Sequence, residues 1–263
     1  MATRRIALGA VALAAALFGM GSAEAKEWNK VRIATEGAYA PFNYVTPEGE
    51  LAGFDVDIAN AICDELKIEC ELVQQEWDGM IPALMANKYD AIVASMSITE
   101  ERKKRIDFTD KYYDTPVRLV GKKGLEIENI PEDLSGMKIG VQRETVQDRY
   151  ATDFFEPAGA EVVRYGTGDE ANLDLVAGRV DLRLEDAVVL SEALLKTPEG
   201  AGFEFVGPVI ESSEYFGAGA GIGVRKGEED LLALLNKGLA AILENGTYQK
   251  IQDKHFGFDV YGG

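Results

Sequence analysis

The segment Ser95-Met96-Ser97-Ile98-Thr99-Glu100-Glu101-Arg102 places three hydroxyl side chains and a guanidinium within eight residues. It follows the apolar run Asp90 to Ser95, so it stands where a buried strand ends and a short helix begins. Strand ends of parallel α/β sheets are where ligands bind. Thr99 is a candidate N-cap, which puts Arg102 in the first turn of that helix. A cation there opposes the helix dipole, and Glu100 and Glu101 partly offset the cost. A fixed guanidinium beside serine hydroxyls and free amides suits a carboxylate ligand. Taken alone, the eight residues fit a surface arginine paired with a nearby glutamate equally well.

Other chemistry is scarce. The single histidine, His255, lies in an aromatic-flanked stretch near the C-terminus, where it reads as a packing or surface residue, so histidine triads and zinc sites are set aside. The run Gly217-Ala218-Gly219-Ala220-Gly221-Ile222-Gly223 has glycine at every second position, which matches neither a dinucleotide fingerprint nor a phosphate loop. It reads as a strand with one face open to the close approach of another backbone or helix. Asp55-x-Asp57 lacks the glycine and distal glutamate of a calcium loop and reads as a pair of solvated first-turn carboxylates, with Asp55 at the helix cap.

The elements that must position these residues alternate. Val31 to Thr35, Glu71 to Val73 and Asp90 to Ser95 read as strands, separated by helices over Phe54 to Leu66 and Asp78 to Ala86. After Asp114-Thr115-Pro116 a second series follows. Its strands are Lys138 to Val141, Glu161 to Tyr165 and Val180 to Leu184, and its helices are Thr145 to Phe155 and Asp169 to Ala177. Two βαβαβ units imply two lobes with mostly parallel sheets flanked by helices. A strand from Gly217 to Val224 and an amphipathic helix from Asp230 to Leu243 close the chain, the helix with Leu231, Leu234, Leu235, Leu239 and Ile242 on one face.

Of the 263 residues, 46% are hydrophobic and 27% charged, which is globular composition and excludes a disordered or fibrous chain. The net charge of −18 repels nucleic acid and anionic membrane surfaces. Residues 1–25 read as an export signal: Arg4 and Arg5, an apolar stretch from Ile6 to Gly21, and the small-x-small site Ala23-Glu24-Ala25, with cleavage after Ala25. The apolar run is too short for a membrane span. The exported chain carries 25 basic and 44 acidic residues, a net charge of −19. Outside the cytosol the only two cysteines, Cys63 and Cys70, read as one disulfide joining a helix end to the following strand.

Several longer motifs occur in one order: Ala34-Thr35-Glu36-Gly37-Ala38-Tyr39-Ala40-Pro41-Phe42, Gly53-Phe54-Asp55-Val56-Asp57, Trp77-Asp78-Gly79-Met80-Ile81-Pro82, Ser97 to Arg102, Ile106-Asp107-Phe108-Thr109, Gly178-Arg179-Val180-Asp181, Glu185-Asp186 and Phe258 to Gly263. With the Cys63/Cys70 spacing, this series resembles the periplasmic solute-binding proteins of polar amino-acid ABC importers (family 3), over residues 27 to 263. The lysine/arginine/ornithine and histidine binders are the nearest in pattern.

The resemblance implies an α/β periplasmic-binding-protein clamshell with a mixed sheet in each lobe and a two-strand hinge. Lobe 1 would comprise residues 27–114 and 211–263, and lobe 2 residues 115–210. It implies that Arg102 grips an α-carboxylate with the Ser97 amide and with Thr145 from lobe 2. Asp186 would take the α-ammonium, helped by Ser95 and Ser97, with Met96 in the same segment. Tyr39 and Trp77 would sandwich the ligand side chain, and Glu36, with Gln147 nearby, would face its far end. The implied ligand is arginine, lysine, ornithine or an arginine-derived opine. The implied partner is an inner-membrane permease, and the implied state a periplasmic monomer that needs no cofactor or metal and is not an enzyme.

The sequence departs from the basic-amino-acid pattern at several points. Glu36 stands for aspartate, Trp77 for leucine or phenylalanine, Ala94 for serine and Gln142 for an apolar residue. Glu144 stands for glycine, where a negative side chain weakens carboxylate capture unless Arg143 balances it, and Arg183 has no evident role. The competing class is a cyclohexadienyl dehydratase of the same fold, using a cleft carboxylate as general acid. Prephenate has no ammonium for Asp186 to meet, which favours binding over catalysis. A receptor sensor domain would need a spanning helix or fused signalling domain.

Overall fold

The alternation expected at the start of the chain is strand β1 (Lys30–Thr35), with Val31 and Ile33 turned into the interior. It opens the computed structural model, which describes residues 27–262; the expected export signal, residues 1–25, lies outside the described residues. A small antiparallel sheet follows, made of β2 (Ala38–Tyr39), β3 (Asn43–Val45) and β4 (Leu51–Ala52). Then come α1 (Phe54–Leu66), β5 (Glu69–Gln74), a 3-10 turn at Trp77–Gly79 leading into α2 (Met80–Met85), and β6 (Ala91–Ile92). The short helix α3 (Glu100–Lys103) and strand β7 (Ile106–Tyr113) complete the first run.

The second run is β8 (Val117–Lys122), β9 (Lys138–Gln142), α4 (Val146–Tyr150), β10 (Glu161–Tyr165), α5 (Gly168–Val176), β11 (Leu182–Asp186), α6 (Ala187–Leu190) and β12 (Phe203–Ile210). Both α4 and α6 continue as a wider π-helical turn, at Ala151–Phe155 and Ser191–Leu195. The chain then returns through α7 (Ser213–Phe216) to β13 (Ala220–Arg225), α8 (Glu229–Glu244) and α9 (Thr247–His255). No helix among the described residues is long and apolar enough to cross a membrane.

Two five-stranded mixed sheets result, in the orders β5-β1-β6-β13-β7 and β10-β9-β11-β8-β12. In the first, β1 runs parallel to β5 and β6, and β13 is antiparallel to both neighbours. The second repeats the scheme, with β9 parallel to β10 and β11, and β8 antiparallel to β11 and β12. Each sheet with its helices is one lobe of an α/β clamshell. The chain crosses between the sheets twice, after Tyr113 and after Ile210.

Helix α8 buries Leu231, Leu235, Leu239 and Ile242 in one cluster with Ile58 and Ile62 of α1. Each such side chain contributes about 1.5–3 kcal/mol by leaving water. The second lobe centres on Leu119, Ile139, Val141, Phe155, Leu182 and Leu184. The disulfide Cys63–Cys70 spans 6.1 Å between Cα atoms and ties the last turns of α1 to β5.

Three expectations are corrected. The strand expected to run from Asp90 to Ser95 is paired only over Ala91–Ile92: the Val93 N–H still reaches the Ala34 carbonyl at 2.9 Å, and two residues on Ser95 turns left-handed (φ 55°). The glycine-rich strand begins at Ala220, because Gly217 (φ 76°) and Gly219 (φ 95°) form the turn before it. Asp55 is neither cap nor solvated: Gly53 holds the N-cap position and Asp55 is wholly buried in the first turn of α1.

Candidate ligand-binding cleft

The segment that carries the hydroxyls and Arg102 folds as its sequence suggests. Thr99 has extended dihedrals, and its Oγ1 accepts the Arg102 N–H at 3.2 Å, so it caps α3 and fixes Arg102 in the first turn. The Arg102 guanidinium then donates to the Ser97 carbonyl at 3.1 Å and lies over the Trp77 ring, 5.2 Å from its centroid. The glycine run lets this segment lie against β13. Ile98 and Met96 exchange backbone hydrogen bonds with residues 218–221, and a Cβ at Gly221 would stand 2.8 Å from the Ile98 side chain. At Gly217, where φ is 76°, it would meet the Ile98 carbonyl at 2.0 Å, so that position requires glycine, whereas at Gly221 the Ile98 side chain would have to shift.

Between the lobes lies a cleft with about 670 Å³ of empty space, counting the part open to solvent. From lobe 1 it is lined by Glu36, Tyr39, Trp77, Ser95, Ser97 and Arg102, and from lobe 2 by Gln142, Thr145, Gln147, Glu185 and Asp186. Nine of the ten residues expected at the site therefore come together. Met96 does not line the cleft: its side chain is 1% exposed and packs among Ala34, Met80, Leu84 and Ile92, so Ser95 and Ser97 line the cleft while the residue between them anchors the segment in the lobe 1 core.

Glu36 is 5% exposed and meets a glutamine, but the partner is Gln142 at the end of β9, not Gln147. Gln142 Nε2 donates to Glu36 Oε1 at 2.6 Å and to the Gly166 carbonyl at 3.1 Å. Burial pushes the Glu36 carboxyl up to about 7; the Gln142 hydrogen bond opposes the shift, and the Glu185 and Asp169 carboxylates add to it. Gln147 lines the cleft from the first turn of α4. Thr145 caps that helix, accepting from the Asp148 N–H at 3.1 Å and donating to the Gln142 carbonyl at 2.7 Å.

Asp186 ends β11 and caps α6, accepting from the Val188 and Val189 N–H groups and from the Thr115 hydroxyl in the crossing segment. Burial raises its carboxyl to about 7, against the Thr115 hydrogen bond and with the neighbouring Glu185 charge adding. Burial brings Arg102 down to about 10, with the Arg149 cation adding, which leaves it charged at neutral pH. Tyr39 donates its hydroxyl to Glu185 Oε1 at 3.0 Å, so this aromatic wall is hydrogen-bonded across the cleft.

Glu185 had no role assigned from the sequence, and Arg183 had none either. They explain each other: both are 1% exposed, and Arg183 Nη2 pairs with Glu185 Oε2 at 2.6 Å. The signal was present in the strand Leu182-Arg183-Leu184-Glu185, where opposite charges two residues apart share one face. Arg143 does not balance Glu144. It reaches across the cleft mouth to Asp78 at 2.7 Å, while Glu144 is exposed and left-handed (φ 62°).

Residues 31–258 match the family model for bacterial extracellular solute-binding proteins, family 3. The chain belongs to that family. It is 53% identical over 232 residues to an L-arginine-binding protein of Pseudomonas aeruginosa, covering 88% of this chain and 90% of the relative. To a histidine-binding periplasmic protein of Salmonella typhimurium it is 42% identical over 234 residues, covering 89% and 90%. Among solved structures, an ancestral arginine-binding protein bound to arginine superposes with a TM-score of 0.80 at 38% identity, covering 87% of this chain and 99% of the other. These family 3 relatives are named as binding proteins, and the clamshell with its interlobe cleft is the fold they share with this chain.

Proposed function

We propose that the protein captures a basic amino acid (arginine, lysine, ornithine or an arginine-derived opine) in the interlobe cleft and delivers it to the permease of an ABC importer. The observation that carries this reading is the inventory of buried charge in the cleft. Arg102 is the one cation lining it, and Glu185 is neutralised by Arg183 behind it, so Glu36 and Asp186 remain as two carboxylates. Asp114 also lines the cleft but is exposed. A basic amino acid carries the complementary set, one carboxylate and two cations. An acidic amino acid carries the reverse and would leave like charges buried together.

In this reading Arg102, with the Ser97 amide and Thr145, holds the α-carboxylate, and Asp186 with Ser95 and Ser97 holds the α-ammonium. Tyr39 and Trp77 flank the side chain, and Glu36 meets its distal cation. Residues 27–114 and 211–263 act as one rigid lobe and 115–210 as the other. The protein works as a monomer in the periplasm, a compartment supported by its similarity to the histidine-binding periplasmic protein.

Thermal unfolding with a panel of amino acids tests the assignment. A ligand at 100 times its dissociation constant adds about 2.7 kcal/mol to stability. Arginine, lysine or ornithine should raise the melting temperature, and glutamate and aspartate should not. Equal shifts with the acidic pair overturn the charge argument, and conversion of prephenate to phenylpyruvate would replace binding with catalysis.

A further inference from the structure

The buried carboxylate of Asp55 lies behind the cleft and lines none of it. It accepts three side-chain hydrogen bonds, from Asn43 Nδ2 at 2.8 Å, Ser95 Oγ at 2.9 Å and the Tyr112 hydroxyl at 2.8 Å. Each donor leads to the ligand cleft. Tyr112 also takes the Ser95 N–H on its oxygen at 2.9 Å, so Ser95 is held at backbone and side chain by one connected group. Asn43 turns its amide oxygen to the Gly37 N–H at 2.8 Å, immediately after Glu36 and two residues before Tyr39.

Ser95 needs that hold. Its φ of 55° is a left-handed conformation that a serine adopts only when its surroundings impose it. The residue also sets the direction of the chain into Ser97 and the Arg102 helix. We propose that Asp55 is a positioning residue for ligand capture, fixing through Ser95, Tyr112 and Asn43 the two lobe 1 segments, 36–39 and 95–97, that face the ligand. This rests on the interlobe cleft being the amino-acid site.

An isosteric Asp55→Asn variant replaces an acceptor oxygen with an NH2 group that faces donors, so the set of three is no longer satisfied. The Ser95 backbone then loses what holds it left-handed. Titration calorimetry with L-arginine on the full folded protein should show affinity down by about tenfold or more, the scale of a displaced hydrogen-bonding set. The decisive arm is the double variant. Ser95→Gly in the otherwise native protein removes a cleft hydroxyl and should weaken binding, but in the Asp55→Asn background it should strengthen it, because glycine adopts the left-handed conformation unaided.

A purely structural carboxylate would give losses of the same sign in both backgrounds, and that result overturns the proposal. Should Asp55→Asn fail to fold, Tyr112→Phe carries the test, since it removes the bridging hydroxyl and keeps the buried ring. Folded Tyr112→Phe that binds L-arginine within about threefold of the native protein refutes the role of the network. Native protein that does not bind L-arginine overturns the basic-ligand reading and this proposal with it, whereas native binding with unaffected variants overturns this proposal alone.

Discussion

Gln142 and Glu36 belong to different lobes and share a 2.6 Å hydrogen bond inside the cleft. The carboxylate that would read a distal cation is therefore also a point at which the two lobes touch. In the proposed function its charge would bear on both selectivity and closure, and the two are separable by ligand choice.

Glu36→Gln keeps the shape of the side chain and removes its charge. Arginine binding should weaken by about 1.5–3 kcal/mol, the scale of a hydrogen bond to a charged group, while citrulline, of similar length and uncharged at its end, should change little. Calorimetric titration of both ligands decides between roles. Equal losses would show that Glu36 acts on closure and does not select charge.

The pH dependence follows from the direction of the shifts. Glu36 and Asp186 are both raised to about 7, so the folded protein holds protons that the unfolded chain has released. Stability of the ligand-free protein should fall as pH rises from about 4.5 through 7, by on the order of 3 kcal/mol for Glu36. A cationic ligand needs both groups ionised, so arginine affinity should rise over the same window with release of protons. Calorimetry in two buffers of different ionisation enthalpy measures that release, and affinity that falls with pH would contradict the assignment.

Arg102→Ala and Asp186→Asn should each cost about 2–5 kcal/mol of binding, because each leaves an unmatched charge on the ligand in a closed cleft. Asparagine is a good N-cap, so α6 should survive the second substitution. Circular dichroism and titration of the two variants check both halves. Either variant binding as the native protein does would remove that residue from the ligand contacts.

Arg183→Met should be strongly destabilising, by about 3–5 kcal/mol, since it strands the buried Glu185 carboxylate. Replacing both, as Arg183→Met with Glu185→Met, should recover much of that loss while releasing the Tyr39 hydroxyl. Chemical denaturation of the single and double variants gives the comparison. A double variant no more stable than the single would mean that the pair does not act as a unit.

Replacing Cys63 and Cys70 by serine opens a loop of about eight residues and should cost roughly 2.5 kcal/mol of stability. Neither cysteine lines the cleft, so arginine affinity should be unchanged. Thermal unfolding and titration of the double serine variant test both statements.

Local chemistry made much of this legible. Thr99 announces its helix by cap type, and the periodicity of α1 and α8 gives their buried faces. The resemblance to amino-acid binders then placed nine cleft residues from both lobes. What stayed hidden was decided by tertiary partners. Asp55 has the sequence of a solvated first-turn carboxylate, and only Asn43, Ser95 and Tyr112, from 12 to 57 residues away, make its burial tolerable. Gln142 and Gln147 are equally plausible partners for Glu36 by type; the end of β9 settles which one reaches it. Met96 sits between two cleft residues, and its packing against Met80, Leu84 and Ile92 turns it inward.

The strand order of the first sheet has a bearing on how the chain is made. Strand β13 lies between β6 and β7, yet it arrives about 107 residues after β7 ends, with the whole of the second sheet in between. Lobe 2 draws all five strands from one uninterrupted stretch and can close its core as soon as that stretch is available. Lobe 1 must wait for its inner strand, with the facing edges of β6 and β7 unsatisfied in the interval. A chain delivered from its N-terminus would thus complete its second lobe before its first, and the ligand cleft, together with the Ile98 seat on the glycine run, would form only once β13 is in place.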